Sequence, residues 1–489
     1  MNHTTPFFRN SALLLAGIYL LCILFVNSGC KNDDHIVSSV SSWRTYILPP
    51  SHSLILPAAD TNQLVIWRAP GTSEDSFNEW LDSISHKFGE VHISYFCQRC
   101  DSTLMLLTGP GAIQYIQTGP IQGGSGSGVA GGPVGGDGPI YYSKNYAMAV
   151  PEYLDSIVSN PNASKIPLEP GGSYTGAPVT VAVFDTGLDS TDIGSYVFNS
   201  PSPSCMGSDA TRGWNFIAGS PDWKDDFKAR HGTVVSWFII NQVKKYHQSQ
   251  VRILPVKIDD DKGQGSLFGV LCGFAYAKDL NAKIINASFG FYSPRLDRSG
   301  AKVDSNVVLL KEYARYYLTR NNILLIAAAG NAGCLLDTIS FYPASLSREL
   351  DNVIAVTTVQ PIGSNRLSTG QVSVDQNYSE QVVYAGVSGD KVPTAATTGP
   401  GIKPGSYLFY HPYLAAPGVH LTVHGSSFAT PIVTGNICAH YALVKSLLLN
   451  QRATRRNILD TLITARAAYL SPASPTLPIQ VNKRYSMNK

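Results

Sequence analysis

From residue 178 onward, short apolar runs alternate with longer segments whose apolar residues recur at helical spacing. Runs that are apolar at nearly every position are typical of strands in a sheet covered on both faces. Their alternation with helices predicts an α/β fold with a mostly parallel sheet and right-handed crossovers. The predicted strands are 179–184, 251–258, 283–288, 323–329 and 353–358. The predicted helices are 233–245, 267–280, 303–320, 430–449 and 453–465.

A smaller α+β pattern precedes this region, and we predict a separate domain over 45–115. Strands are expected at 62–68, 91–96 and 102–107, and a helix at 73–88 with Ser73 as its N-cap. A Gly-rich stretch follows, in which nine of the 16 residues from 123 to 138 are Gly. Such a stretch cannot bury apolar surface, so residues 120–140 are predicted to be a flexible linker. A phosphate-binding loop is disfavoured because no Gly-Lys-Ser/Thr follows.

The N-terminus reads as a targeting segment. After Arg9, residues 12–26 form an uninterrupted apolar run, which is short for a membrane-spanning helix. Small residues then lead to Cys30, as in a bacterial lipoprotein cleavage box. We predict a signal peptide over 1–29 and lipidation of Cys30, which places the protein in the cell envelope, on the outer-membrane surface, or outside the cell. The alternative is an ordinary signal peptide cleaved nearby, with Cys30 incidental.

Charge and cysteine usage narrow the function classes. A net charge of +3 is small for 489 residues and argues against a nucleic-acid partner. Cys97 and Cys100 form a CxxC pair without a companion, so a local disulfide or two free thiols is preferred over a metal site. The carboxylates at 222–226 and 259–261 leave structural calcium open, but a solvated acidic loop is the preferred interpretation. No metal ligand set and no required cofactor are predicted.

Three short segments carry catalytic residue types. Asp185 ends a predicted strand, and His231 and Ser427 each open an apolar helix. A serine hydroxyl needs an adjacent imidazole to become a nucleophile, and a buried carboxylate fixes the imidazole and stabilises its protonated form. Taken singly, each residue has a structural interpretation, as a strand-end turn former or a helix cap.

The sequence resembles the subtilisin-like serine proteases in four segments. Asp-Thr-Gly at 185, His-Gly-Thr at 231 and Gly-Ser-Ser-Phe-Ala-Thr-Pro at 425 match the family's signatures in its order, and Ala-Ala-Ala-Gly-Asn-Ala-Gly at 327 matches a fourth. Ser426 and Phe428 depart from residues common in the family. The resemblance implies a subtilisin-like three-layer fold over 170–468 and a ferredoxin-like N-terminal domain. Prolines and basic residues near the C-terminus predict an irregular tail over 469–489. The resemblance also implies an oxyanion-hole donor at Asn331. The substrate-binding residues that it implies are Asn286, Ser288, Phe289, Gly290 and Gly330.

The expected activity is peptide-bond hydrolysis through an acyl-enzyme on Ser427, acting on polypeptides. The N-terminal domain resembles a folding chaperone and intramolecular inhibitor, with maturation in the Gly-rich linker. A retained spacer is its alternative. Residues 361–412 look like an insertion that adds surface loops. Two other functions stay open at this point: a non-catalytic surface binding protein on a protease fold, and a transpeptidase or cyclase using the same residues.

Overall fold

The computed structural model describes part of the chain, and the predicted signal peptide, Cys30 and most of residues 361–412 lie outside it. The described residues are 59–97, 100–118, 129–130, 139–150, 156–159, 177–191, 193–246, 250–294, 307–337, 339–359, 372, 376–379, 381–388, 397–398, 406–409, 419–449, 455–469 and 479–481. Among them, no helix has the length and apolar character needed to cross a membrane.

The N-terminal region forms an antiparallel sheet with two helices. Its strands are β1 (Ala59–Arg68), β2 (His92–Cys97), β3 (Asp101–Thr108), β4 (Val129–Ala130) and β5 (Ile140–Ala149). Its helices are α1 (Glu74–Phe88), for which the Ser73 side chain accepts a bond from the Ser76 N–H, and α2 (Pro110–Thr118). Alternate residues of β1 face opposite sides, so Leu64 and Ile66 pack with α1 and α2, whereas Val65 and Trp67 join a second core.

This sheet continues past the predicted domain end at residue 115. β5 lies beyond the Gly-rich stretch and pairs antiparallel with β1 along most of its length. The Gly-rich stretch is therefore a connection inside the N-terminal sheet and not a boundary between two domains. Three consecutive polar residues in the middle of β5, Ser143, Lys144 and Asn145, hid this strand from the search for apolar runs.

The second half of the chain contains an eight-stranded sheet whose strands are parallel except at one edge. In spatial order its strands are β20 (Ile479–Val481), β16 (Val383–Ser388), β15 (Val353–Val359), β13 (Leu324–Ala328), β11 (Ile284–Ala287), β7 (Val179–Asp185), β9 (Val251–Lys257) and β8 (Trp214–Asn215). The helices are α3 (His231–Tyr246), α4 (Leu267–Asp279), α5 (Val308–Tyr317), α6 (Ser426–Ala439), α7 (Tyr441–Leu449) and α8 (Arg455–Tyr469). The predicted α/β class with a mostly parallel sheet is confirmed.

Helices cover both faces of this sheet and form three layers. One core packs α3 and α6 against the sheet, with Val234, Ile239 and Ile437 fully or almost fully buried. The opposite core packs α4 and α5 against the sheet and also contains residues of the N-terminal sheet. The helix predicted at 430–449 begins four residues earlier and divides at His440 into α6 and α7.

Short strands surround the main sheet. They are β6 (Ser156–Ser159), β10 (Gln264–Ser266), β12 (Phe291–Pro294), β14 (Ile339–Tyr342), β17 (Thr397–Thr398), β18 (Ser406–Phe409) and β19 (Val419–His424). β6 pairs with β17 and β19, and β19 leads directly into α6. β10 pairs with β5 and so joins the N-terminal sheet to the α/β region.

Candidate active site

Asp185 and His231 meet at the carboxyl end of the parallel sheet. Asp185 is the last residue of β7, and His231 is the first residue of α3. His231 Nδ1 lies 2.7 Å from Asp185 Oδ1, and both side chains are almost completely buried. The same carboxylate oxygen accepts a 2.8 Å bond from the Thr186 N–H. His231 Nε2 is buried and has no hydrogen-bond partner among the described residues, so the imidazole is oriented from its Nδ1 side.

Gly232 allows the start of α3 to lie very close to the Asp185 carboxylate. A Cβ on Gly232 would lie 2.2 Å from the Gly187 carbonyl oxygen and 3.0 Å from Asp185 Cβ. Any larger residue at position 232 would therefore push the helix start away from β7. The Gly after the histidine is required by this contact.

Asp225 joins the two segments that carry Asp185 and His231. Its carboxylate accepts bonds from the Thr186 hydroxyl at 2.9 Å and from the Thr233 N–H and hydroxyl at 3.0 and 2.7 Å. Because Thr233 lies in the first turn of α3, Asp225 acts as an N-terminal cap of that helix. Burial raises the pKa of Asp225, and the bonds from Thr233 oppose that shift. The interpretation of this residue as part of a solvated acidic loop is wrong, since Asp225 is fully buried.

Ser427 lies in the first turn of α6 and faces the end of β11. Its hydroxyl donates a 3.1 Å bond to the Ser288 carbonyl oxygen and is not bonded to His231. The neighbouring Phe428 ring lies 5.1 Å from the His231 ring, centroid to centroid, which places α6 against the imidazole. The structure thus places the helix start that bears Ser427 next to the Asp185–His231 pair, with the Ser427 hydroxyl turned toward Ser288.

A proline in α6 explains the contact between Ser427 and Ser288. Pro431 lacks an N–H, so the carbonyl of Ser427, four residues earlier, receives no helical bond from it. The Ser288 hydroxyl donates to that carbonyl at 2.8 Å. This bond satisfies the carbonyl and fixes the first turn of α6 against the segment after β11.

Asn331 is held at one end of its amide by Ser426. Its Oδ1 accepts bonds from the Ser426 N–H at 2.8 Å and the Ser426 hydroxyl at 2.9 Å. The Ser426 hydroxyl in turn accepts a 2.9 Å bond from the Gly330 N–H. With Oδ1 so occupied, Nδ2 is the atom of Asn331 left to donate a bond.

Asn286 is a supporting residue and does not face the cleft with its side chain. It is fully buried, its Nδ2 donates to the Ser288 hydroxyl at 3.0 Å, and its Oδ1 accepts from the Thr434 hydroxyl at 2.8 Å. These bonds connect α6 to the segment that contacts Ser427. The Phe289 side chain is only 1% exposed and therefore cannot make the predicted direct contact with a substrate. Backbone groups of this segment remain the candidates for substrate pairing.

The end of β5 lies between β10 and Gly290, one of the predicted substrate-binding residues. Met148 and Ala149 pair antiparallel with Gly265 and Gln264 of β10. On the other side, the Ala149 N–H donates to the Gly290 carbonyl oxygen at 3.5 Å. The Val150 N–H donates to the Gly263 carbonyl oxygen at 3.0 Å. The last strand of the N-terminal sheet therefore occupies the space between β10 and Gly290.

Charged groups are concentrated at the end of β9, next to Asp185. The buried ammonium of Lys257 donates to the Thr186 carbonyl and, at 2.6 Å, to Asp226 Oδ1. Asp259 is fully buried, and neither of its carboxylate oxygens has a hydrogen-bond partner within the described part of the chain. Burial, reinforced by the carboxylates of Asp185 and Asp260, raises the pKa of Asp259 well above its ordinary value.

Within the described residues, no group of three or more His, Cys, Asp or Glu side chains is arranged to hold a metal ion. Three of the acidic residues that left calcium open have other surroundings in the structure. Asp225 caps a helix, Asp226 pairs with Lys257, and Asp259 is buried without a hydrogen bond to any described group.

Sequence reasoning missed the supporting residues. Asp225, Ser426 and Thr434 each hold a candidate catalytic or oxyanion-binding segment, but their residue types are common in loops and helix ends. Pro431 was the sequence signal for a donor such as the Ser288 hydroxyl. A proline inside a helix leaves the carbonyl four residues earlier without its helical N–H donor.

Comparisons with known proteins point to one protein family. A model described as the subtilase family matches residues 176–481. Thermitase from Thermoactinomyces vulgaris is 27% identical over 286 residues, covering 58% of this chain and 79% of that protein. The cell wall-associated protease of Bacillus subtilis is 31% identical over 172 residues, covering 34% of this chain and only 16% of that protein's length.

A solved structure extends the likeness of fold to most of the chain. A mutant of the epidermin leader peptide processing serine protease from Staphylococcus aureus superposes with a TM-score of 0.50 at 14% identity. The match covers 88% of this chain and 97% of that one. At this identity the likeness concerns the fold alone.

Proposed function

The chain belongs to the subtilase family and is a serine endopeptidase, and on that premise we propose that Ser427, His231 and Asp185 form its catalytic triad. The observation that carries the proposal is the 2.7 Å contact between His231 Nδ1 and Asp185 Oδ1, with Nε2 unpaired among the described residues beside the helix that bears Ser427. The relatives do not favour a non-catalytic binding protein or a transpeptidase.

In the proposed reaction, the Ser427 hydroxyl breaks its hydrogen bond to the Ser288 carbonyl, and its oxygen attacks the scissile carbonyl carbon. His231 Nε2 takes its proton, and Asp185 stabilises the imidazolium that forms. Asn331 Nδ2 and the Ser427 N–H donate to the oxyanion. His231 then protonates the leaving amine, and water enters to hydrolyse the acyl-enzyme by the same route in reverse.

The test is hydrolysis of a fluorogenic peptide by Ser427→Ala. Turnover should fall by at least about 10³-fold relative to the unmodified enzyme, because the nucleophile is gone. Ser446→Ala, an exposed serine in α7, is the matched control and should keep full activity. Equal rates for Ser427→Ala and an unmodified enzyme already freed of its N-terminal domain would refute the assignment.

We also propose that the N-terminal domain inhibits the enzyme by occupying its substrate-binding cleft. Support comes from the extended segment ending at Val150, which pairs with β10 on one side and Gly290 on the other, as an extended substrate would. The Asn145 side chain also accepts a 3.0 Å bond from the Phe268 N–H in the first turn of α4. Self-processing is expected just beyond this segment, between residues 150 and 156, and not in the Gly-rich stretch.

Val150→Pro tests this inhibition, because it removes the N–H that bonds the Gly263 carbonyl and changes no candidate catalytic residue. Initial hydrolysis of a small peptide should rise above that of the unmodified enzyme. Val150→Ala keeps the N–H and is the matched control. Equal initial rates for the two variants would show that the segment does not block the cleft.

The sequence further supports export and lipid attachment at Cys30, which would place the protease on the cell envelope with polypeptides outside the cytoplasm as substrates. A clickable palmitate analogue should label the unmodified protein and not Cys30→Ser. A mature N-terminus at another residue, without lipid, would contradict lipidation of Cys30 and would favour cleavage of an ordinary signal peptide.

A further inference from the structure

A disulfide crosses from the N-terminal domain to the protease domain. Cys100, in the turn between β2 and β3, is bonded to Cys205, which lies between β7 and β8. The two cysteines are 105 residues apart in sequence. Neither expected state of the CxxC pair, a local disulfide or two free thiols, is found, because Cys100 is bonded to Cys205 and only Cys97 is a free thiol.

On the protease-domain side, the disulfide is attached to a hydrogen-bonded turn. The Cys205 N–H donates to Asp279 Oδ2, at the end of α4, with a distance of 2.7 Å. The Ser204 hydroxyl accepts from the Met206 N–H and donates to the Gly207 carbonyl oxygen, each at 3.2 Å, which closes a tight turn around Cys205. Cys205 is therefore anchored to the same helix that receives the N-terminal sheet.

A second pair of cysteines, both free thiols, meets across the same interface. Cys97 at the end of β2 and Cys272 within α4 are both buried, and their side chains are hydrogen-bonded to each other. Next to them, the Tyr313 hydroxyl of α5 donates to Asp101 Oδ2 at 3.1 Å. Both cysteines of the CxxC motif thus lie against the protease domain, one bonded covalently and one packed.

We propose that the Cys100–Cys205 disulfide makes the N-terminal domain a covalently retained inhibitor, so that thiol reduction, and not chain cleavage alone, releases activity. The proposal rests on the inhibitory role proposed above. A cut between residues 150 and 156 would separate the two domains in sequence, but the disulfide would keep the inhibitor at an effective concentration near millimolar. The inhibitor would then stay bound however far the enzyme is diluted.

The chemistry of release is a two-electron exchange. A dithiol reductant attacks the Cys100–Cys205 bond through its thiolate and forms a mixed disulfide. Its second thiol then closes the reductant into a cyclic disulfide, and Cys100 and Cys205 each end as a thiol. The domain is thereafter held only by non-covalent contacts and can dissociate on dilution.

The experiment measures hydrolysis of a fluorogenic peptide after dilution, with and without dithiothreitol. The unmodified enzyme should stay latent on dilution and gain at least about tenfold in activity with the dithiol, since release then becomes concentration-dependent. Cys205→Ser should be active after dilution and insensitive to the dithiol. Cys438→Ser, which removes a buried cysteine in α6, is the control and should behave like the unmodified enzyme.

Peptide mapping of Ser427→Ala under non-reducing conditions determines the bond directly and does not depend on activity. Recovery of Cys100 and Cys205 as thiols would overturn the proposal, as would a Cys205→Ser enzyme as latent as the unmodified one. If Cys205→Ser does not fold, Cys100→Ser removes the bond from the other side. The chain could show the disulfide and yet not react with a fluorophosphonate, even after reduction. That result would contradict the proposed peptidase site and not the covalent link.

Discussion

Asn331 is the single side chain whose orientation the structure explains most fully. Ser426 donates two bonds to its Oδ1, and the Gly330 N–H donates to the Ser426 hydroxyl. A Cβ on Gly425 would lie 2.9 Å from Asn331 Nδ2, so this amide also packs directly against the residue before α6. Such preorganisation favours catalysis because a donor already in place needs no rearrangement as the oxyanion forms.

Asn331→Ala should lower kcat by about 10²–10³-fold, a magnitude taken from the corresponding donor in subtilisin itself. KM should change little, because the bond strengthens only in the transition state. Steady-state kinetics with a fluorogenic peptide measure both constants. A rise in KM at unchanged kcat would assign Asn331 to ground-state binding.

Asp259 is a buried carboxyl group whose ionisation is less favourable in the folded than in the unfolded chain. Burial and the neighbouring carboxylates of Asp185 and Asp260 raise its pKa, while Lys257 opposes the shift only in part. Because its pKa is higher in the folded than in the unfolded chain, the group stabilises the fold only at low pH. That contribution is lost as the pH rises from the unfolded value, about 3.9, through the higher folded value.

Asp259→Asn should therefore reduce the fall in the free energy of unfolding between pH 5 and pH 8. Urea unfolding in the Ser427→Ala background, which prevents self-digestion, measures this difference. Asp209→Asn replaces an exposed carboxylate and should leave the pH dependence unchanged. The same pH dependence in Asp259→Asn and its parent would contradict the assignment of a raised pKa.

At the scale of single elements, the start of α6 depends on a bond from another segment. Pro431 leaves the Ser427 carbonyl without its helical donor, and the Ser288 hydroxyl replaces that donor at 2.8 Å. An unsatisfied buried carbonyl costs about 1–3 kcal/mol. The two residues should therefore be coupled in stability.

Ser288→Ala should destabilise the fold by about 1–3 kcal/mol when Pro431 is present. In the Pro431→Ala background the loss should be smaller, because the substituted alanine supplies a backbone N–H to the same carbonyl. A double-mutant cycle by urea unfolding, in the Ser427→Ala background, measures the coupling. Additive effects of the two substitutions would show that Pro431 does not create the need for the Ser288 hydroxyl.

The strands and helices that carry the candidate site could be predicted because their apolar periodicity is strong. The predicted strand at 179–184 and helix at 233–245 differ from β7 and α3 by no more than two residues at either end. The start of α6 was placed late, since Ser426 and Ser427 are polar and Pro431 reads as a helix-breaking residue. The rotamer of Ser427 depends on the Ser288 carbonyl, a contact between distant residues that periodicity does not contain.

At the scale of the whole molecule, the two domains share one hydrophobic core. Trp67 of β1 lies 5.1 Å from the Tyr313 ring and 5.7 Å from the Tyr316 ring of α5, between centroids. Tyr146 of β5 stacks on Phe291 of β12 at 5.2 Å. Sequence patterns within each domain could not reveal this arrangement, because it depends on which faces meet.

Trp67→Ala should loosen the N-terminal domain, since removing a buried aromatic side chain costs about 3–5 kcal/mol. Under the proposed inhibition, initial peptide hydrolysis in the presence of the dithiol should rise. Trp80→Ala is the matched control, because Trp80 packs on Phe77, Tyr115 and Tyr142 inside the N-terminal domain, away from α5. Equal activation by both variants would indicate general unfolding of the domain and not a loss of the interface.

The central claim is that the buried Asp185–His231 pair makes one serine, Ser427, nucleophilic. The most direct measurement is labelling of the dithiol-treated enzyme with a fluorophosphonate, followed by mass spectrometry of its peptides. The expected result is a single modified residue, Ser427, with labelling lost in His231→Ala and Ser427→Ala and retained in Ser446→Ala. Absence of label from Ser427, or label at another serine that survives Ser427→Ala, would contradict the account.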